Sequence, residues 1–201
     1  MVALKGKGLY LRGPLDKYLE ELSARKIVPG GGSAAALSAA LGAGLNLMVI
    51  GYSAHSEGIA EAGLRQREIL DKLSGLIDED CRAFSELMDA ISQGKEAQEK
   101  YKAAAAVPMD ICRQCHASMG VTTFLSKNGS TKLITDVGCA ANMLKGAFVS
   151  AGLNVEVNLK EIKDAIFVED TIKNLSLMEE DINAQLRNIE NRVKKIMERG
   201  E

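Results

Sequence analysis

Apolar positions recur along most of the chain at three- and four-residue steps, the spacing of one face of an α-helix. A first helix is predicted over 14–25, with Pro14 in its first turn and Leu15, Tyr18, Leu19 and Leu22 on one stripe. The segment from Ile27 to Ser33 breaks that pattern with a proline and a glycine triplet, and a run of Ala, Gly, Leu, Met and Val follows over 34–50. Small residues on every side of that run predict a central helix that lets neighbouring backbones come close, inside a bundle or across a dimer interface.

A long helix is predicted over 59–92, where Leu70, Leu73, Ile77, Phe84, Leu87 and Ile91 form a heptad-like seam. Asp80 occupies the seam position between Ile77 and Phe84. A helix over 96–125 contains Pro108, which is expected to kink or divide it, and the polar residues 126–130 form a loop with a serine N-cap. The next helix carries Leu133, Val137, Ala140, Leu144, Ala147 and Ala151 and is expected to stop near Gly152. Residues 154–159 alternate like a short extended piece, and a last helix over 169–197 has Ile172, Leu175, Ile182, Leu186, Ile189, Val193 and Ile196 as its seam. The pattern predicts an all-α, single-domain bundle of long antiparallel helices over 1–201, with a buried small-residue central helix, and leaves open packing against a second subunit.

Composition supports this class: proline appears three times, tryptophan is absent, and aromatics make up 4%. Charge is nearly balanced, with 25 basic and 27 acidic residues, so no overall field draws the protein to nucleic acid or anionic lipid. The 34–50 run approaches a membrane span in length, but Ser38, Asn46 and the lack of flanking aromatics favour a buried helix. Met1 to Gly13 shows no export signal, and a cytoplasmic protein with reduced thiols is expected.

Several constellations bear on chemistry. A carboxylate at Asp80, inside an apolar seam, is either satisfied by a neighbouring donor or held as an acid–base group whose charged form burial disfavours. Asp136, on the stripe of its own helix near the start, either complements the helix macrodipole or faces Asp80 across a cleft. Gly30, Gly31, Gly32 and Ser33 before a small-residue helix form a tight turn with Ser33 as cap, or a cradle of unhindered backbone N–H groups for a ligand. The lysine of a nucleotide-binding loop is missing from that turn. Cys112, Cys115 and His116 match the spacing of covalent haem attachment, yet they lie within a helical pattern and without a second paired spacing. Packing cysteines, with no metal and no cofactor, are the expectation. His55 is assigned to a loop.

Pro29, Gly30, Gly31, Gly32, Ser33 and the alanines 34–36, continued by Ala39, Leu41, Gly42 and Ala43, resemble the signature of the formiminotetrahydrofolate cyclodeaminase/methenyltetrahydrofolate cyclohydrolase family. Asp78, Glu79 and Asp80 before Ala83 and Phe84, the Val107-Pro108 pair, Thr135 to Gly138, and Asn154-Val155 before Asn158-Leu159 extend the resemblance over almost the whole chain. Ile27 and Val28 stand where that family often carries polar or proline residues.

The resemblance implies a helical domain that dimerises and acts on a one-carbon adduct of tetrahydrofolate, the substrate being the only small molecule needed. Asp80 is then assigned to proton transfer and Asp136 to holding the pterin and its bridge, with the two roles open to exchange. The Gly30–Ser33 turn would contact the ligand through backbone donors and Asn158 through its amide. The reaction expected first is hydrolysis of 5,10-methenyltetrahydrofolate to 10-formyltetrahydrofolate, because no transferase accompanies the sequence. The alternatives are cyclodeamination of the 5-formimino adduct and a non-catalytic folate- or partner-binding helical dimer.

Overall fold

The computed structural model describes residues 9–53 and 57–199. Six α-helices account for nearly all of them: α1 Leu15–Ser23, α2 Gly31–Gly51, α3 Ile59–Ser92, α4 Gln98–Asn128, α5 Ile134–Leu159 and α6 Ala165–Arg199, with a 3₁₀ turn, Thr131–Leu133, before α5. No strand occurs among the described residues. His55, assigned to a loop from sequence, lies outside them.

α2 is the centre of the bundle and packs against α3, α4 and α5. Ala36, Ala39, Ala43 and Val49 are fully enclosed, and a Cβ on Gly42 would stand 3.1 Å from Leu144 and 3.2 Å from the Ala140 carbonyl. The small residues therefore bring α2 and α5 to a distance that larger side chains would prevent. Short connections fold each long helix back along its predecessor, so the start of α2, the later part of α3, the early part of α4 and the end of α5 meet at one end of the bundle. At the other end the Ser130 N–H donates to Ser53 Oγ (2.8 Å), where α4 gives way to α5 beside the end of α2.

A fully buried polar cluster ties three helices in register. Asn46 Nδ2 donates to Thr122 Oγ1 (2.8 Å) and Ser118 Oγ (3.2 Å), while Gln66 Nε2 donates to Ser118 Oγ (3.0 Å). Each group has a partner, so its burial costs little and rewards one alignment of α2, α3 and α4.

The structure corrects four sequence expectations. The triplet is not a loop before the helix: Gly30 is the N-cap and α2 begins at Gly31, with no side-chain cap from Ser33. Ser126 to Asn128 belong to α4, and Ser130 makes no side-chain cap. Pro108 does not divide α4. α5 does not stop at Gly152, and residues 154–159 are helical. Gly152 is buried within α5, and a Cβ there would make ordinary contact with Leu175 of α6 at 3.8 Å. The seam of α3 is also narrower than its periodicity implies, with Phe84 and Ile91 exposed. Cys112 and Cys115 are enclosed within α4's inner face, with Cys112 Sγ 3.6 Å from the Phe148 carbonyl.

Candidate active site

The meeting point of α2, α3, α4 and α5 is a cleft of about 130 Å³. Its polar lining is Gly30, Gly31, Gly32, Asp80, Asn154 and Asn158, and Ile27, Val28, Phe84, Ala104 and Val157 form its apolar walls. Of the site residues expected from sequence, the fold brings the glycine turn, Asp80 and Asn158 together here.

Asp80 is half-buried at the start of α2. Gly32 makes this approach possible: a Cβ there would lie 2.1 Å from Asp80 Oδ1 and 2.6 Å from its Cγ. Burial pushes the Asp80 carboxyl up to about 6, opposed by the backbone N–H of Ser33 at the positive end of α2. The balance leaves a group that exchanges a proton near neutral pH, as a general acid or base must. Behind it, the hydroxyls of Ser33 and Tyr18 are 3.2 Å apart, so the cap position read into Ser33 is occupied by a contact to α1.

Asp78, two positions earlier, does structural work. Its carboxylate accepts the backbone N–H groups of Leu9 and Tyr10, each at 2.7 Å, and pins the segment before α1 onto α3.

Asp136 is in the first turn of α5, while Asn154 and Asn158 are near its end, so about five helical turns, some 27 Å, separate them. Within one subunit Asp136 therefore does not face Asp80 across this cleft, which corrects that reading. Each aspartate lies on the apolar stripe of its own helix, and a stripe does not fix the position along the axis. Asn154 is the site residue that sequence reasoning left out: its amide lies over Gly31, where a Cβ would stand 3.3 Å from Nδ2. Helical continuation past Gly152 was the signal, because it places positions 154 and 158 on one face.

A larger groove of about 380 Å³ runs between α5 and α6 past Gly138, Asn142, Val193 and Met197. Its charged groups, Glu190, Lys194 and Glu198, belong to the solvated face of α6.

The burial of Asp80 has a measurable cost. Its carboxyl binds a proton more tightly in the folded chain than in the unfolded one, so stability falls as pH rises from the unfolded value of 3.8 through the folded value of about 6. Above that window the full penalty applies, and Asp80→Asn is expected to stabilise the fold by up to about 3 kcal/mol at pH 8. The gain should disappear below about pH 4, where both states are protonated. Urea denaturation at the two pH values checks this; an unchanged or lowered midpoint at pH 8 would contradict it.

The helical bundle thus holds one carboxyl near neutral acidity against a helix N-terminus, beside two carboxamides. The chain belongs to the formiminotransferase-cyclodeaminase family, whose model matches residues 14–177. It is 31% identical over 179 residues to a methenyltetrahydrofolate cyclohydrolase of Methylorubrum extorquens, covering 80% of this chain and 86% of that protein. It is 31% identical over 191 residues to the formimidoyltransferase-cyclodeaminase of Gallus gallus, covering 82% of this chain and 34% of that protein. Among solved structures, the formiminotetrahydrofolate cyclodeaminase of Thermotoga maritima matches with a TM-score of 0.78 and 30% identity, covering 93% of this chain and 96% of that one.

Proposed function

We propose that this protein hydrolyses 5,10-methenyltetrahydrofolate to 10-formyltetrahydrofolate. The observation that carries the reading is Asp80, a carboxyl with an acidity near 6 at the floor of a cleft, beside the first-turn N–H groups of α2. The similarity to a cyclohydrolase over 86% of that protein's length supports this reaction.

In the proposed reaction, ionised Asp80 takes a proton from water as the water oxygen attacks the bridging carbon of the cationic methenyl group. The tetrahedral adduct that forms is neutral at carbon. Asp80 returns the proton to N5 as the carbon–N5 bond breaks, the adduct's hydroxyl proton passes to solvent, and the formyl group stays on N10. One water is consumed and one proton is released, which balances the loss of the amidinium charge. The carboxylate also favours the cationic substrate before attack.

The cleft is well below the roughly 300–1,000 Å³ that encloses a drug-sized ligand, so it takes the ring end of the folate while the benzoylglutamate lies outside. A homodimer and a cytoplasmic location complete the proposal. The dimer is supported by the outer side of α2, where Leu41 and Met48, followed by Tyr52 just past the helix end, stand exposed seven and four residues apart.

The likeness to the Thermotoga maritima cyclodeaminase favours a second reaction at the same carboxyl: ring closure of the 5-formimino adduct with loss of ammonia. Absorbance of methenyltetrahydrofolate in a buffer of slow spontaneous hydrolysis tests the first reading. Protein-dependent loss of the chromophore is expected. An unchanged rate, with ammonia released from the formimino substrate, would assign the second reaction instead.

A further inference from the structure

Pro108 lies inside α4 and has no backbone N–H, so the carbonyl of Ala104, four residues earlier, loses its helical donor. Asn158 supplies one from α5: its Nδ2 donates to Ala104 O (3.2 Å) and to Asn154 O (2.7 Å). One turn earlier, Asn154 Nδ2 donates to Ser150 O (2.8 Å). Because every partner of these amide nitrogens is a carbonyl oxygen, each carboxamide has one possible orientation; a flipped oxygen would face another oxygen. Both Oδ1 atoms are left without a protein partner among the described residues, on side chains that line the cleft.

The two walls of the cleft are therefore complementary. α5 presents two acceptor oxygens, and α2 presents the first-turn N–H groups of Gly31 and Gly32, which have no intrahelical acceptor. A pterin carries that pattern in reverse along one edge, with an oxo acceptor followed by a ring N–H and an exocyclic amine. The oxo group is next to N5, so an edge bound with its oxo group on α2 sets the N5 bridge on the side of Asp80.

We propose that Asn154 and Asn158 form an acceptor pair that binds the N–H edge of the pterin, and that Pro108 is a positioning residue that orients Asn158 by freeing the Ala104 carbonyl. The inference rests on the folate reading above and gives α5 the ring-binding role that Asp136 cannot fill within one subunit.

Two variants test it in the full chain with methenyltetrahydrofolate. Asn154→Leu removes one acceptor and is expected to raise KM about five- to tenfold, with kcat within about threefold of the parent. Pro108→Ala restores the N–H that competes for Ala104 O. It should raise KM as well while leaving the melting temperature unchanged or higher, because alanine suits a helix interior better than proline. A purely structural role for Pro108 would move stability and leave KM alone. Unchanged KM in both variants, in a protein that turns the substrate over, would overturn the acceptor pair while leaving the proposed function intact. A wild-type chain that turns over neither folate substrate overturns the function reading, and this inference with it.

Discussion

Asp80→Asn is expected to lower kcat by roughly 10²–10⁴-fold, the range associated with removing a positioned general acid–base group. The substitution keeps size and shape, and an amide oxygen still accepts the Ser33 N–H that faces the carboxyl. The cleft should therefore retain its form, and KM should change much less than kcat. A loss confined to kcat identifies an interaction made in the transition state, whereas a rise in KM alone would make Asp80 a binding group. The same substitution that removes turnover is expected to strengthen the fold above pH 6, as the burial of Asp80 requires. Loss of activity with a gain in stability is the pattern of a group retained for chemistry.

The second large effect falls on the glycine turn, whose members the structure separates. A methyl group on Gly32 would lie 2.1 Å from Asp80 Oδ1 and 2.8 Å from Oδ2, and the carboxyl must move away. Since the obstructing atoms are the free end of a side chain, Gly32→Ala is expected to cost the fold little, the more so because alanine favours the helix. Displacing a catalytic group by about 1 Å can cost on the order of 100-fold, and kcat/KM should fall by at least that. Gly30→Ala is the internal comparison, because a Cβ there meets nothing within 4 Å and the backbone is extended (φ −132°). It should leave kcat within about twofold, because it does not displace Asp80, and any effect of a methyl group in the cleft lining falls on KM. Gly31→Ala lies between the two, with Asn154 Nδ2 at 3.3 Å. Steady-state kinetics on this series checks the account; equal losses at Gly30 and Gly32 would show that the turn matters through backbone flexibility alone.

Much of this site was legible in the sequence because its signals are local. Asp80 interrupts an apolar seam, and the glycine triplet precedes a helix built from small residues; α3 has the very limits, Ile59–Ser92, that its periodicity implied. Asn154 was hidden by a local ambiguity. Alternation over a few residues fits an extended segment, and Gly152 imitates a helix stop, although α5 runs through it to Leu159. Pro108 was visible as a helix breaker, but its consequence is a long-range one: the donor that repairs the break comes from position 158. The pairing of Asp136 with Asp80 failed for the converse reason. Both lie on inward stripes, and a stripe fixes which way a residue faces without fixing how far along the bundle it stands. The buried cluster of Asn46, Gln66, Ser118 and Thr122 has no local signature either, because each member is an ordinary helix residue until four side chains meet.

The central claim is that Asp80, raised to about 6 by burial, must be ionised for turnover. The pH dependence of kcat/KM for methenyltetrahydrofolate hydrolysis, which reports the free protein and is corrected for the spontaneous rate, tests it most directly. The account predicts a kcat/KM that falls below a midpoint near pH 6 in the wild-type chain, and at most about 1% of the wild-type rate at any pH in Asp80→Asn. A profile that stays flat down to pH 4.5, or a substituted chain that keeps the wild-type rate, would contradict it.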